Sequence, residues 1–482
     1  MEKALKKLGF QGKEKHKFCI FDVCSIRHKN NKNYGKTLLQ AGRRLKGYVF
    51  DRQHIFATKT SNQFHKAQEY IKSLWLSRLT NLEKMSETGI PESYHNLHHF
   101  ISDSPWDGFK LIDSVSEEVS QSLPGRKLTG LHIDESGSRK KGTQSVGVSP
   151  QYCGNLGKVD NCQVAVYASL NNSDFASLVD SRLYLPQNWI SDKKRCDKAK
   201  IPSEYRIFKT KQDLALDMIS HQIELGTNFD YVGVDALYGA DQHFTDTLDE
   251  MALPFVGDIR SNQKVFLKEP QIDIPRRKSN KGRKPTKLKA DIEPIDVHTY
   301  MKSLTRKNWQ EIKVRNTAKG TLKGLYHFCT VYIWDEKSHH VSKRLLIIRR
   351  SLKEKKPEIR YALSNVSLVQ YRKQAIAYMQ AQRFFIEHSF KEAKSVLGLD
   401  QYQTRKWIAW YHQVALNMLL ILFILKEKLL NFYQMPLLSA WDIHQLMVVV
   451  FASAIQPEDI LTLILERHKI RQNDINRYYK RC

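Results

Sequence analysis

The stretch LTGLHIDESGS, residues 128–138, marks a change in the character of the chain. Leu128 to Ile133 is a short apolar segment typical of a β-strand, and it is followed directly by Asp134. The sequence YVGVD, residues 231–235, repeats this arrangement and ends in Asp235. Two further strands and one helix are predicted near these segments, at 163–170, 182–185 and 212–225. Strands that alternate with a helix predict an α/β sheet.

The two aspartates have the same predicted position in this sheet. In α/β proteins, ligands and catalytic groups gather at the carboxyl ends of the strands, which is where we expect Asp134 and Asp235 to lie. The alternative is that each aspartate only caps the turn or helix that follows its strand. Two such acids in a strongly basic chain favour a functional site. Glu135 is adjacent to Asp134, and strand alternation predicts that it points to the opposite face.

The charge of the chain indicates its kind of partner. Its 482 residues include 77 Lys and Arg but only 50 Asp and Glu, which gives a net charge of +27. This excess favours a polyanion such as double-stranded DNA, because each neutralised phosphate releases condensed counterions. A membrane surface is the competing polyanion, but neither terminus contains the amphipathic basic helix that such binding uses. Hydrophobic residues make up 41% of the chain, so a sizeable core is expected.

The cysteines and the apolar segments predict a cytoplasmic protein. Seven cysteines occur without a CxxC pair, which is typical of a reduced compartment. The N-terminus is too polar for a signal peptide, and the longest apolar run, Val414 to Leu425, is shorter than a membrane span and predicts a buried core helix. One cluster has the residue types of a zinc site but not the usual spacing of paired ligands, so we do not predict zinc there: His16, Cys19, Cys24 and His28.

A third acid lies in a predicted helix. In the segment QAQRFFIEHSFKEAKSVLG, helical spacing places Arg383 and Lys394 on the same stripe as Glu387. Phe385 and Ala393 fall on the opposite side, toward a core. The alternative is ordinary pairing of Glu387 with Arg383, four residues earlier, on an exposed helix face.

The spacing Arg-x3-Glu-x6-Lys resembles the Tyr-Arg-Glu-Lys signature of a large group of bacterial insertion-sequence DDE transposases. The tyrosine of that signature corresponds to Gln380, so the chain departs from the pattern there. Other segments resemble, in the expected order, the N-terminal helical domain, the surroundings of the first and second catalytic aspartates, and the helical tail of this group: 94–107, 133–170 with 182–189, 232–239 and 397–416.

The resemblance implies a fold, a metal site and an activity. The fold would be an RNase H-like α/β catalytic core interrupted by a β-rich insertion, with helical N-terminal and C-terminal regions. Asp134, Asp235 and Glu387 would be the catalytic residues and would bind two Mg²⁺ or Mn²⁺ ions, while Arg383 and Lys394 would hold DNA phosphates. The chain would be a homodimeric transposase that cleaves element ends and transfers them into target DNA, in association with the bacterial nucleoid.

Two alternatives to a transposase remain open at this stage. A related metal-dependent nuclease would cut DNA without strand transfer, and a regulator with a decayed active site would only bind it. Five regions are predicted: an N-terminal helical DNA-binding region, the first part of the core, a basic β-rich insertion, the catalytic helix with the end of the core, and a C-terminal helical region. Their predicted limits are 1–125, 126–260, 261–370, 371–430 and 431–482.

The predicted insertion contains two candidate DNA contacts. Its basic run RRKSNKGRKPTKLK, residues 276–289, holds eight cations and no acid. The run is either a solvated loop or a phosphate-binding segment, and its candidate contacts are Arg276, Arg277, Lys278, Arg283 and Lys284. In the resembled group the insertion can also supply an aromatic residue that stacks on a flipped base. Trp309 and Trp334 are the candidates, and the alternative for each is a place in a core.

Overall fold

A computed structural model describes most of the chain. The described residues are 36–452 and six isolated positions beyond them (461, 465, 469, 472, 473 and 477), with gaps at 89, 91, 126, 277–284, 318–319, 336–338, 353–356 and 402. The cluster considered for zinc, residues 16–28, lies outside this part of the chain.

The N-terminal part of the described chain is helical, as predicted. Its longest helix is capped by Asp107, whose carboxylate accepts hydrogen bonds from the backbone N–H groups of Phe109 and Lys110 at 3.0 and 3.1 Å. Leu111, Val115 and Val119 follow at helical spacing and are buried. The helices of this part are α1 (Lys36–Leu39), α2 (Ala41–Phe50), α3 (Phe64–Leu76), α4 (Leu82–Met85), α5 (Tyr94–Ser102) and α6 (Gly108–Ser122).

The centre of the protein is a mixed sheet whose core has the order β4-β3-β1-β5-β6. Strand β3 is antiparallel to both β4 and β1, whereas β5 is parallel to β1 and β6 is parallel to β5. This arrangement is the topology of an RNase H-like core and confirms the predicted fold class. The strands are β1 (Gly130–Arg139), β2 (Ser149–Cys153), β3 (Lys158–Asn172), β4 (Phe175–Leu183), β5 (Tyr231–Val234) and β6 (Phe255–Ile259).

The β-rich insertion extends this sheet. Strand β14 pairs antiparallel with β6, and the hairpins of β11 to β13 continue outward from it, so ten strands form one sheet. Two small two-stranded sheets, β7 with β10 and β8 with β9, accompany it. The strands are β7 (Lys264–Val265), β8 (Ile272–Asp273), β9 (Lys289–Ala290), β10 (Ile295–Asp296), β11 (Gln310–Thr317), β12 (Gly320–Trp334), β13 (Val341–Arg350) and β14 (Ile359–Ser364).

Helices cover the sheet and complete the core. Helix α15 (Trp407–Asn431) is long and apolar enough to cross a membrane by length and composition. However, 94% of its most apolar 18-residue segment is buried inside the protein, as predicted for a core helix. The remaining helices are α7 (Gln187–Ile190), α8 (Lys193–Lys198), α9 (Lys211–Glu224), α10 (Ala236–Gly239), α11 (Gln242–Glu250), α12 (Val297–Ser303), α13 (Lys373–Gln382), α14 (Phe384–Leu397), α15 (Trp407–Asn431) and α16 (Ala440–Ala452).

Three predicted strands differ in their bounds from the structure, and the second of them, predicted at 163–170, is β3 at Lys158–Asn172. Asp134 lies inside β1 and not beyond its end, because the 15-residue strand β3 offers a backbone partner to every residue of β1 up to Arg139. The polar sequence ESGSR hid this continuation, since it lacks apolar alternation. The third strand covers 175–183 and not 182–185. The five predicted regions remain a prediction, because element bounds alone do not show that the regions fold separately.

Candidate active site

The unequal lengths of β1 and β5 expose the position of Asp134. The parallel pairing of these strands covers only four residues and ends where Ile133 pairs with Val234. Beyond that point β1 continues without its neighbour, so Asp134 is its first residue past the parallel ladder. Asp235 follows β5 directly at the same edge. The prediction that the two aspartates share one edge of the sheet is therefore confirmed.

Close packing of two glycines brings Asp235 to this edge. Asp235 is the N-cap of α10, and its Oδ1 accepts a hydrogen bond from the backbone N–H of Leu237 at 2.8 Å. Helix α10 lies directly on β6, because a Cβ at Gly239 would be only 2.4 Å from the carbonyl oxygen of Asp258, and one at Gly257 only 2.7 Å from Cα of Gly239. The capping role considered as an alternative for Asp235 is thus real, and it coexists with the site.

Three carboxylates converge at the edge. Asp134, Glu135 and Asp235 each offer an oxygen, and these oxygens lie within 4.8 Å of one another. The expectation that Glu135 points away was wrong. Beyond Ile133, β1 no longer pairs with β5. Side chains from both faces of β1 can therefore reach this open edge. Glu135 is held there by Lys211 Nζ at 3.1 Å and by the hydroxyl of Tyr238 at 3.2 Å.

Glu387 reaches this group through one guanidinium. Arg383 lies at the break between α13 and α14, and its Nη2 is 2.9 Å from Oε1 of Glu387. Nη1 of the same side chain is 3.3 Å from Oδ2 of Asp134. Glu387 is therefore connected to Asp134 through Arg383 but lies outside the group of carboxylates whose oxygens lie within 4.8 Å of one another. That Glu387 shares a metal pair with Asp134 and Asp235 stays a prediction. Glu387 is half exposed, whereas only 15% of the Arg383 side chain is exposed.

A further carboxylate, Asp258 on β6, was missed from the sequence. Its Oδ2 accepts a hydrogen bond from Nε of Arg383 at 3.0 Å. Asp258 stands in FVGDI, residues 255–259, and an acid near the end of an apolar strand is the same signal that identified Asp235. Arg383 therefore binds three acids, one with each nitrogen of its guanidinium.

Burial and mutual repulsion alter the ionisation of these groups. Burial and the negative charge of the neighbouring Asp235, opposed by Arg383, together raise the pKa of Asp134 to about 8. Burial likewise raises the pKa of Asp235 and of Asp258. Burial disfavours the charged form of Arg383, but its acidic neighbours outweigh this and raise its pKa. A site with more acids than cations favours the binding of additional positive charge.

Lys394 lies on the same helix as Glu387 but contacts a different part of the sheet. Its Nζ donates a hydrogen bond to the backbone carbonyl of Gly137 on β1 at 3.2 Å. Burial lowers the pKa of Lys394, and Asp400 partly offsets this. Phe385 and Ala393 are buried on the other side of α14, as the helical pattern predicted.

An open groove begins next to Asp235. It has a volume of about 460 Å³ and lies between the start of α10 and the turn that follows β6. Arg260 and Lys264 are exposed cations in this lining, and Asn262 and Gln263 add amides. The acid of the groove, Asp241, caps α11 by accepting a hydrogen bond from the N–H of Phe244 at 2.9 Å.

The predicted DNA contacts of the insertion are described only in part. Arg276 is exposed, while Arg277, Lys278, Arg283 and Lys284 lie outside the described residues. Trp309 is partly buried against a small core of the insertion. Trp334 is partly buried and has an Nε1 without a hydrogen-bond partner among the described residues. Base stacking by either tryptophan stays a prediction.

The donor set fits a hard divalent cation. All the converging ligand atoms are carboxylate oxygens, which suit Mg²⁺ or Mn²⁺ better than the softer metals that prefer Cys or His. Among the described residues, two cationic side chains, Arg383 and Lys211, directly contact members of this group of five acids: Asp134, Glu135, Asp235, Asp258 and Glu387. This excess of negative charge is what a bound divalent ion would neutralise.

The family model for the DDE superfamily endonucleases matches residues 59–321. This is more than half of the 482 residues, and the chain therefore belongs to this family. The matched range includes Asp134 and Asp235 and ends before Glu387.

A probable transposase for insertion sequence element IS701 from Microchaete diplosiphon is 36% identical over 177 residues. That segment is 36% of this chain and 43% of the relative, so the chain matches less than half of the relative's length. A piggyBac transposase in a synaptic complex with hairpin DNA gives a TM-score of 0.35 at 10% identity, with 88% of this chain and 82% of that chain covered.

Proposed function

We propose that this protein is the DNA transposase of an insertion sequence, which cleaves phosphodiester bonds at the element ends and joins the freed ends to target DNA. The observation that carries the proposal is the convergence of Asp134, Glu135 and Asp235, with Glu387 tied to them through Arg383. Membership of the DDE endonuclease family and the similarity to an insertion-sequence transposase support it. The net charge of +27 suits a polyanionic substrate.

Asp134, Asp235 and Glu387 would hold a pair of Mg²⁺ or Mn²⁺ ions, which supply Lewis-acid polarisation of the attacking and leaving oxygens. Glu135 has a supporting role, because its two oxygens already contact Lys211 and Tyr238. The first step is the attack of water on the phosphodiester at the element end. In the second step the released 3′-hydroxyl attacks target DNA, so no serine or tyrosine nucleophile is required.

The cations around the site would position the DNA backbone. Arg383 and Lys394 lie on or beside the helix that bears Glu387 and are suited to hold the phosphates next to the scissile bond. The groove with Arg260 and Lys264 gives the strand a path away from Asp235. The basic run 276–289 would add contacts that do not depend on DNA sequence.

The assembly and the location of the protein follow from this function. Two element ends must be held together before strand transfer, so we propose that the active form is a homodimer. Its double-stranded DNA substrates place it in the bacterial cytoplasm with the nucleoid. Neither proposal requires a membrane, and α15 acts as a core helix.

The test is an assay with labelled DNA that carries the element ends, in Mg²⁺ and in Mn²⁺. We expect metal-dependent nicking at the ends and, with a target plasmid, joined products. Nicking without joined products would replace the transposase by a nuclease. Binding without nicking would indicate a regulator whose active site no longer works.

A further inference from the structure

The contact between Asp258 and Arg383 differs from the other contacts of this arginine. Of the three acids that Arg383 binds, Asp134 belongs to the group of carboxylates whose oxygens lie within 4.8 Å of one another, whereas Glu387 and Asp258 lie outside it. The proposed function assigns Glu387 to the metal and leaves Asp258, on β6, without a place in the metal site. Asp258 takes the Nε hydrogen of Arg383 and leaves the two terminal nitrogens to Asp134 and Glu387. The guanidinium thus bridges one acid that has no place in the proposed metal site and two acids that the proposed function assigns to the metal.

A divalent ion would compete with Arg383 for the same oxygens. Oδ2 of Asp134 is 3.3 Å from Nη1, and Oε1 of Glu387 is 2.9 Å from Nη2, so metal binding at these carboxylates must weaken both contacts. A buried guanidinium that loses its anionic partners is costly, because desolvation is no longer compensated. The side chain is only 15% exposed and therefore needs a partner that the metal does not take.

We propose that Asp258 is a positioning residue that retains Arg383 when a metal ion takes Asp134 and Glu387, so that the two terminal nitrogens turn from these carboxylates to a DNA phosphate. This inference rests on the metal site described under the proposed function. Before the metal binds, the guanidinium neutralises the site. After the metal binds, Asp258 holds the guanidinium through Nε, and the same cation serves the substrate.

The surroundings of Asp258 fit this role. Its carboxylate is mostly buried, and Arg383 is its hydrogen-bonded cation among the described residues. Arg360 on the adjacent strand β14 adds a more distant positive charge, but its Nε is bonded to Glu358 at 2.8 Å. Glu387 adds a repulsive negative charge. Nothing else in direct contact competes with Arg383 for Asp258 in this part of the structure.

The experiment is a double-mutant cycle on Mn²⁺ affinity, measured by calorimetry on the full chain without DNA. Asp258→Asn keeps the size of the side chain and removes its charge, and we expect it to weaken Mn²⁺ binding about tenfold or more, as loss of residues that support metal ligands usually does. Arg383→Gln removes the cation that needs retaining. In that background we expect Asp258→Asn to change the affinity by less than about twofold.

Arg383→Lys serves as a second background, because it keeps the charge while losing the forked geometry, and it too should reduce the effect of Asp258→Asn. Thermal unfolding of each variant identifies those that are folded. An equal loss of affinity from Asp258→Asn in all three backgrounds would overturn the proposal, since Asp258 would then act as a metal ligand or as a simple charge. Absence of Mn²⁺ binding by the unmodified protein would instead contradict the proposed metal site itself.

Discussion

Arg383 and Glu387 form an ion pair of 2.9 Å at the start of α14, and the same arginine contacts Asp134 at 3.3 Å. An isolated pair at this helical spacing stabilises a helix by only about 0.2–0.5 kcal/mol. Here the arginine is largely buried and joins α14 to the strands that bear Asp134 and Asp258. The pair is therefore part of the candidate site and not an ordinary contact on an exposed helix face.

The contact of Gly239 with Gly257 predicts a sensitive position. A methyl group at Gly239 would be 2.4 Å from the carbonyl oxygen of Asp258, so Gly239→Ala must push α10 and its cap Asp235 away from β6. We expect a loss of roughly 1–3 kcal/mol in the free energy of unfolding, as for other overpacked sites, together with impaired cleavage. Gly47→Ala on α2 is the control, because a Cβ there meets nothing within 4 Å. Equal stability and activity of the two variants would show that α10 is not held by this contact.

We expect the cations of the groove beside Asp235 to contribute measurably to DNA affinity. If Arg260 and Lys264 each contact one phosphate, the double alanine variant should flatten the slope of log affinity against log salt concentration by about 1.8 units. Lys110 and Lys158, which are 75% and 65% exposed on other elements, provide a control that removes the same charge. A slope that changes equally in both double variants would indicate an effect of net charge alone.

The His221 contacts predict a pH dependence of stability. Hydrogen bonds to Asp113 and to the buried Asp180 raise the pKa of His221 to about 9 from its ordinary value of 6.5. Because the folded protein holds this proton more tightly than the unfolded chain, the stabilisation is fully present below pH 6.5 and is lost as the pH rises through about 9. Thermal unfolding should show His221→Gln lowering the Tm more at pH 6 than at pH 10. A pH-independent difference would contradict the charged state of His221.

The contacts of Glu135 predict that its substitution impairs cleavage less than substitution of the other acids of the site. Its carboxylate already accepts hydrogen bonds from Lys211 and Tyr238, so it is less available as a direct ligand. We expect Glu135→Gln to weaken Mn²⁺ binding, since one nearby negative charge is lost, but to restore cleavage at saturating Mn²⁺. Titration of cleavage against Mn²⁺ concentration checks this. Complete inactivity at every concentration would assign Glu135 a direct role in place of a supporting one.

Much of the fold and part of the site could be predicted from local patterns. Strand β5 has the predicted bounds, and each end of helix α9 lies within one residue of its prediction. The burial of these elements gives their sequences a clear apolar pattern. The extent of β1 could not be predicted, since its polar second half is specified by the partner strand β3 and not by its own residues. Glu135 joins the site beyond the end of β5, which is a tertiary effect without a local signature. Asp258 has the local signal of an acid near the end of an apolar strand, but its contact with Arg383, 125 residues away, could not be predicted from it.

The central claim is that these carboxylates support metal-dependent DNA cleavage, and Glu387→Gln tests it most directly. The substitution keeps the size and the hydrogen-bonding capacity of the side chain but removes the charge that a metal ligand needs. The measurement is nicking of labelled element-end DNA in Mg²⁺ and Mn²⁺ beside a mobility-shift titration, with Glu392→Gln on the same helix as the control. Glu392 pairs with Lys428 at 2.5 Å, and no described ion pair connects it to Arg383. We expect Glu387→Gln to lose cleavage while its DNA affinity is unchanged or slightly higher, and Glu392→Gln to retain both. Near-normal nicking by folded Glu387→Gln would contradict the claim.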